Sequence, residues 1–175
     1  MLKIFSTQLS GYFKRIAEQE EMNIEDGARL LAQALIGNGS IYMHGTKEME
    51  GVVLEALYGE EPLEGAKPLF EDGELAAITS ADRVLLISRF STDTEAVELA
   101  RRLQTEGHFI VGVSAIKEGM HSLEQFTDVH IDTKLIKGLI PDEDGSRFGF
   151  PSLIIALLAY YGLKFTMDEI MAEYK

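Results

Sequence analysis

The chain contains no cysteine. Disulfides, a thiol nucleophile and a thiolate metal site are therefore excluded, and the composition is compatible with a cytoplasmic location. Positive charge is scarce too: 16 Lys and Arg face 29 Asp and Glu, a formal net charge of −13 over 175 residues. Sequence-independent nucleic-acid binding and attachment to anionic membrane both need clustered Lys and Arg, so neither partner is expected. A single cationic pocket remains compatible with that balance, because net charge says nothing of one cleft. Long apolar runs are missing. The longest, Leu153 to Tyr161, is too short to span a bilayer, and Met1 to Thr7 turns polar too early for a signal-peptide core. The histidines, His44, His108, His121 and His130, have no metal-ligand spacing, so no metal and no cofactor is expected. Internal repeats and low-complexity segments are absent.

What is present centres on Ala81 to Glu95. Val84 to Ile87 are continuously apolar, as expected of a strand covered on both faces. Ser88, Ser91, Thr92, Asp93 and Thr94 follow as a small, hydroxyl-rich turn. Ala96, Val97, Leu99, Ala100 and Leu103 then recur at helical spacing. A helix starting just past a parallel strand aims free N–H groups and its positive dipole end at whatever sits there, which suits a phosphate.

The remaining segments surround that stretch. Leu2, Phe5, Leu9, Tyr12, Phe13 and Ile16 mark an amphipathic first helix running to about Glu21. Asn23 reads as the N-cap of a second helix, which Gly37-Asn38-Gly39 ends with a glycine available for a left-handed cap. Ser40 to His44 reads as a strand that stops at Gly45. Gly45-Thr46-Lys47-Glu48 is a turn, and a helix from about Glu48 to Tyr58 follows. Lys67 to Phe70 reads as a short edge strand because of Pro68, and Glu74 to Thr79 as a short helix. His108 to Val113 and Val129 to Ile131 are further strands, with one helical turn at Leu123 to Phe126. Lys134 to Phe150 reads as a long loop, Pro151 to Tyr161 as a helix, and Thr166 with Glu169 as the capping box of a terminal helix over Met167 to Tyr174.

Strands alternating with helices imply right-handed crossovers and a mostly parallel sheet with helices on both faces. Ligands of such sheets bind beyond the strand C-terminal ends. Both hydroxyl-bearing turns, Gly45-Thr46-Lys47 and Ser88 to Thr94, fall there. Each residue also has an ordinary reading: Ser91 or Thr92 as a helix cap, Lys47 as a solvated lysine, His44 as a packing residue, Glu55 as a surface glutamate.

The order of these segments resembles the sugar isomerase (SIS) domain family, and within it the phosphoheptose isomerases. The resemblance covers about residues 22 to 163. Met43-His44-Gly45-Thr46 is similar to the family's first Gly-rich turn, and Ile87-Ser88-Arg89-Phe90-Ser91-Thr92-Asp93 to its I-S-x-S-G-x-T/S pattern. Gly112-Val113-Ser114 is similar to its G-V/I-T, and Ser122-Leu123 with Thr127 to Ile131 to its S-x-L…A-D-V-V-I stretch. Phe90, Ser91 and Asp93 depart from the second pattern, standing for its second serine, its glycine and a phosphate-binding hydroxyl.

The resemblance implies one α/β domain over residues 1–175, a three-layer sandwich whose mostly parallel sheet has about five strands. The N-terminal helix of residues 1–21 would be packed on by C-terminal helices of residues 151–175. It implies a sugar phosphate as ligand and self-association as a homodimer or homotetramer. Gly45, Thr46, Lys47, Ser88, Arg89, Ser91, Thr92, Thr94 and Ser114 would hold the phosphosugar. Leu54-Glu55-Ala56-Leu57-Tyr58-Gly59 is similar to the A-E-E-L-x-G context of a catalytic glutamate, which makes Glu55 the base of an aldose–ketose isomerase. The family's histidine on the last helix has no counterpart, so the second group would be His44, His121, His130 or a residue of another subunit. Two functions follow: a sugar-phosphate isomerase, or a sugar-phosphate-binding or regulatory protein without the chemistry. Lys134, Lys137 and Arg147 could fold over an anionic ligand. Phe5, Tyr12 and Phe13 suit a subunit interface or core.

Overall fold

A computed structural model describes all 175 residues. The strand expected at Val84 to Ile87 is β5, Arg83–Phe90, at the centre of a five-stranded parallel sheet. Its neighbours are β1 (Ile41–Gly45) and β6 (Ile110–Ala115); β2 (Ala66–Pro68) and β7 (Val129–Asp132) form the edges, giving the order β2-β1-β5-β6-β7. Every pairing is parallel. Pro68 sits on an edge strand, where its missing N–H costs no ladder bond.

Alternate residues of β5 feed two cores. Leu85 and Ile87 pack with α2 (Glu21–Ile36), α3 (Glu50–Tyr58) and α5 (Ser152–Glu173) through Leu31, Val52 and Leu163. Val84 and Leu86 pack with α4 (Thr94–Thr105) through Ala96, Ala100 and Leu103. A third cluster of Tyr12, Ile16, Leu135, Leu139 and Ile155 fastens α1 (Leu2–Gln19) to α5. The result is the three-layer α/β/α architecture expected from the alternation of elements.

Several local expectations are corrected. α2 begins at Glu21, and Asn23 lies inside it, its amide donating to the Glu20 carboxylate (2.9 Å). The left-handed residue after α2 is Asn38 (φ 60°); Gly37 has φ −88°. Residues Glu74 to Thr79 form no helix. Glu74–Leu75 is β4, which pairs with β3 (Phe70–Glu71) around Asp72 and Gly73, both at positive φ. An Asp-Gly pair is a hairpin signal, because both central residues of a type I′ turn need φ > 0. The segment Lys134 to Phe150 contains a second hairpin, β8 (Ile140–Pro141) with β9 (Arg147–Phe148), and buries Leu135 and Leu139. The last helix is continuous, since the Thr166 hydroxyl donates to the Gly162 carbonyl (2.9 Å) within it and caps nothing.

Gly45 ends β1 because the chain folds straight back into a 3-10 turn, Lys47–Met49, whose last carbonyl sits where a side chain would go. Gly45→Ala should cost about 3 kcal/mol by overpacking, which for this chain length lowers Tm by roughly 6–12 °C. Gly11, in the middle of α1 with open space around it, should behave oppositely. Gly11→Ala should raise stability by about 0.5–1 kcal/mol. Thermal unfolding of the two variants checks both.

Candidate functional site

β1 and β5 end side by side. Gly45 is in register with Ile87, and the Thr46 amide donates to the Ile87 carbonyl (3.0 Å). β5 loses register with β6 between Ile87 and Phe90, a bulge that re-aims its last residues. Arg89 turns toward the start of α5, and the chain then enters the turn before α4.

Two cavities meet over this end of β5, and Arg89 and Phe90 line both. One, about 330 Å³, is bordered by Lys47, Thr92, Asp93, Thr94 and Glu95 at the start of α4. The other, about 370 Å³, is bordered by Glu48, Phe150 and Ser152 at the start of α5. A larger hollow of about 850 Å³ is a groove between α2 and the C-terminal half of α5, beside Arg29, Gln33 and Phe165. Residues of helices and their ends line that groove and no strand end opens onto it, so the smaller pair is the better-equipped site.

In the first cavity Asp93 caps α4, its Oδ1 accepting from the Ala96 amide (3.0 Å). Its Oδ2 faces the Thr46 hydroxyl and the Lys47 ammonium, each at 3.4 Å. The carboxylate is thus turned against the helix. The amides of Thr92, Thr94 and Glu95 donate to no group of the chain. They leave a row of donors at the positive end of a helix dipole.

In the second cavity Arg89 grips the Glu48 carboxylate with two hydrogen bonds of 2.6 and 2.8 Å. The Ser152 hydroxyl adds a third at 2.8 Å. The Arg89 bonds hold the Glu48 carboxyl down at about 2 against the opposing effect of burial. Glu48 is therefore a structural anion here and a poor proton acceptor. Phe90 and Phe150 meet edge to face, 5.7 Å between centroids.

Of the residues expected to hold a phosphosugar, Thr46, Lys47, Arg89, Thr92 and Thr94 converge on the cavities, and Gly45 shapes the turn beneath them. Three serines do not offer free hydroxyls. Ser88 is buried and donates to the Phe90 carbonyl (2.8 Å), closing the bulge. Ser91 is buried and bonds both backbone groups of Lys117, accepting at 2.9 Å and donating at 3.3 Å. Ser114 is buried 2.7 Å from Nε2 of His130.

The expected acid–base pair is not brought together within one chain. His44 lies on the α4 side of the sheet, its Nε2 3.3 Å from the Glu95 carboxylate and its ring edge-on to Phe70. Glu55 lies on the opposite side, on α3, where the Tyr161 hydroxyl donates to it (2.6 Å). It stands seven residues along from Glu48, about 10 Å down the helical rise. Two of the three loop cations are also committed: Arg147 donates to the Gly138 and Leu139 carbonyls, and Lys134 pairs with Asp132, while Lys137 is exposed and makes no ion pair.

Sequence reasoning passed over Glu48, Glu95, Phe150 and Ser152. Glu48 and Glu95 each follow a hydroxyl-bearing turn at a strand end, which is a usable signal. Phe150 and Ser152 are distant in sequence from the strand they adjoin, and only the packing of α5 reveals them.

The chain belongs to the family described as Domain of unknown function (DUF2529), whose model matches residues 1–171. It is 48% identical over 174 residues to the Bacillus subtilis (strain 168) protein YwjG, itself uncharacterised, with 99% of each chain covered. Solved structures share its fold at low identity. The Escherichia coli CFT073 protein c3406, in complex with arabinose-5-phosphate, superposes with a TM-score of 0.68 at 13% identity, over 98% of this chain and 89% of that one. The Methanococcus jannaschii protein MJ1247, whose structure was used to infer a 3-hexulose-6-phosphate isomerase function, gives 0.58 at 16%, over 99% and 90%. A Silicibacter pomeroyi DSS-3 protein with a provisional phosphosugar isomerase assignment gives 0.63 at 13% over 95% of this chain, which spans about half (49%) of that protein's length. At these identities the likeness shows an SIS-type fold.

Burial drives His130 down to about 4, against a smaller opposing pull from Asp132. The unfolded chain takes up this proton near pH 6.5, whereas the folded chain refuses it until about pH 4. Stability should therefore be full above about pH 6.5 and fall as pH drops through that window, by about 2–3 kcal/mol at pH 4.5. Denaturant unfolding at pH 7 and pH 4.5 reads this, and His130→Gln should remove most of the difference.

Proposed function

We propose, taking membership of this family and the SIS-type fold as premises, that the chain is a cytoplasmic sugar-phosphate-binding protein. The observation that carries this reading is the row of free amides at Thr92, Thr94 and Glu95, opening onto a cavity at the strand C-terminal ends. A phosphate seated there would accept from those amides and from the Thr92 and Thr94 hydroxyls, and would gain from the dipole of α4. The sugar body would extend over Phe90 toward Glu48, Ser152 and Phe150. Ser88, Ser91 and Ser114 are supports of this site in the proposal, each holding a neighbouring segment in place.

Binding without turnover fits the side-chain chemistry best. Glu48 is held ionised by Arg89, and Glu55 is on the far face of the sheet. A second reading, an aldose–ketose isomerase, is favoured by one feature. His44 and Glu95 form a His–carboxylate pair at the edge of the first cavity, and a carboxylate that orients an imidazole prepares it as a general base. In that reading His44 moves the proton and Glu55 has no part within the same subunit.

The proposal includes self-association as a homodimer or homotetramer. α5 is apolar around much of its circumference, yet Ile154 and Phe165 are exposed on it, as Leu54 and Tyr58 are on α3. A helix of that composition is normally covered on all sides.

Phosphorylated sugars of five to seven carbons, at about 100 times their dissociation constant, should stabilise the chain by about 2.7 kcal/mol. That raises Tm by roughly 5–11 °C, and the unphosphorylated sugars should give no shift. Thr92→Ala with Thr94→Ala should weaken binding about tenfold or more. A flat screen contradicts the reading. Ketose formation from a bound aldose phosphate, abolished in His44→Gln, would establish the isomerase; binding without turnover supports the non-catalytic function. In light scattering the wild type should exceed the monomer mass, and Tyr58→Asp with Phe165→Asp should return it to 19.4 kDa.

A further inference from the structure

Three cations stand around the paired cavities, and two of them are neutralised where they are. Lys47 faces the Asp93 carboxylate at 3.4 Å. Arg89 is held in the bidentate grip on Glu48. The third, Lys117, makes no ion pair. Its ammonium lies over the ring of Phe90, 4.5 Å from the centroid, and that ring is a wall shared by both cavities. At an exposed site an aromatic face attracts a cation less strongly than a charge-assisted hydrogen bond to an anion does. Lys117 is thus parked beside the cleft with its charge unspent.

The backbone of Lys117 is fixed there by the turn itself. The Ser91 hydroxyl accepts from the Lys117 amide and donates to the Lys117 carbonyl. Two residues on, Gly119 lies so close to Thr92 Cγ2 that a side chain on it would have to displace the threonine. The segment after β6 is therefore clasped to the same turn that carries the free amides. Ser91, whose hydroxyl faces no cavity, acts by positioning Lys117.

We infer that Lys117 is the counter-charge for the anionic group of the ligand, leaving the Phe90 ring to close over a phosphate on the Thr92–Glu95 turn. Lys47 stays with Asp93 and keeps that carboxylate from repelling the anion. The inference rests on the sugar-phosphate reading of the cleft and adds the residue that supplies its charge. It also accounts for how an acidic chain with an aspartate inside the turn can still attract an anion. The shared wall of Phe90 then has two uses, an apolar face for the sugar and a resting place for the lysine.

The test is calorimetric titration of the full chain at low ionic strength with inorganic phosphate, and in a second arm with arabinose-5-phosphate. Lys117→Met should weaken both probes about tenfold or more, as expected for loss of a charged hydrogen-bond donor. Lys117→Arg should stay within about threefold of wild type, and Lys47→Met should lose less than Lys117→Met. An unchanged unfolding midpoint without ligand identifies the variants as folded. Wild-type affinity in Lys117→Met, or a loss in Lys47→Met as large or larger, overturns the role of Lys117 and leaves the sugar-phosphate reading standing. A wild-type chain that binds neither probe removes that reading, and this inference with it.

Discussion

Strand β5 has no side that faces water, and that constraint governs the rest of the molecule. Its residues alternate between two cores, Leu85 and Ile87 toward α2, α3 and α5, Val84 and Leu86 toward α4. A strand buried on both faces can carry polar groups only where it leaves the sheet. It does so at Ser88 to Asp93, between the end of β1 and the starts of α4 and α5. The bulge after Ile87 divides the last residues between the two sides, Arg89 toward α5 and the capping turn toward α4. The paired cavities follow from this splitting, one on each side of the strand end.

Electrostatics then decides what the cavities can hold. The chain is strongly acidic, and three carboxylates, Glu48, Asp93 and Glu95, lie at the cleft. Each is occupied: Glu48 by Arg89 and Ser152, Asp93 by the Ala96 amide with Thr46 and Lys47, Glu95 by His44. Partly buried pairs of this kind add little net stability, since desolvation offsets attraction. Their consequence is that the free amides of the turn and the ammonium of Lys117 remain as the unmatched positive groups of the site.

The elements legible in the sequence were those whose pattern is local. The buried run at Val84 to Ile87, the hydroxyl turn and the amphipathic helix after it stand as read, and so does the sheet of five parallel strands. Errors came where two neighbouring signals competed. Asp72-Gly73 marks a hairpin, but the apolar residues after it imitate a helix. Thr166 and Glu169 have capping-box spacing, yet Tyr160, Leu163 and Met167 bury one continuous face and carry the helix through. The site was half legible. Types and positions of the turn residues were visible, whereas which hydroxyls are spent internally depends on Lys117, Phe90 and His130, contacts that no spacing rule contains. The separation of Glu55 from His44 is likewise a matter of which face each element packs on.

Where a ligand sits on this chain is read by backbone amide chemical-shift mapping by NMR during titration with a C5 to C7 sugar phosphate. A phosphate on the turn before α4 should give the largest shifts at Thr92, Thr94, Glu95 and Lys117, with smaller ones at Glu48, Phe150 and Ser152. Shifts confined to the groove beside Arg29, Gln33 and Phe165, or none at saturating ligand, would contradict that placement.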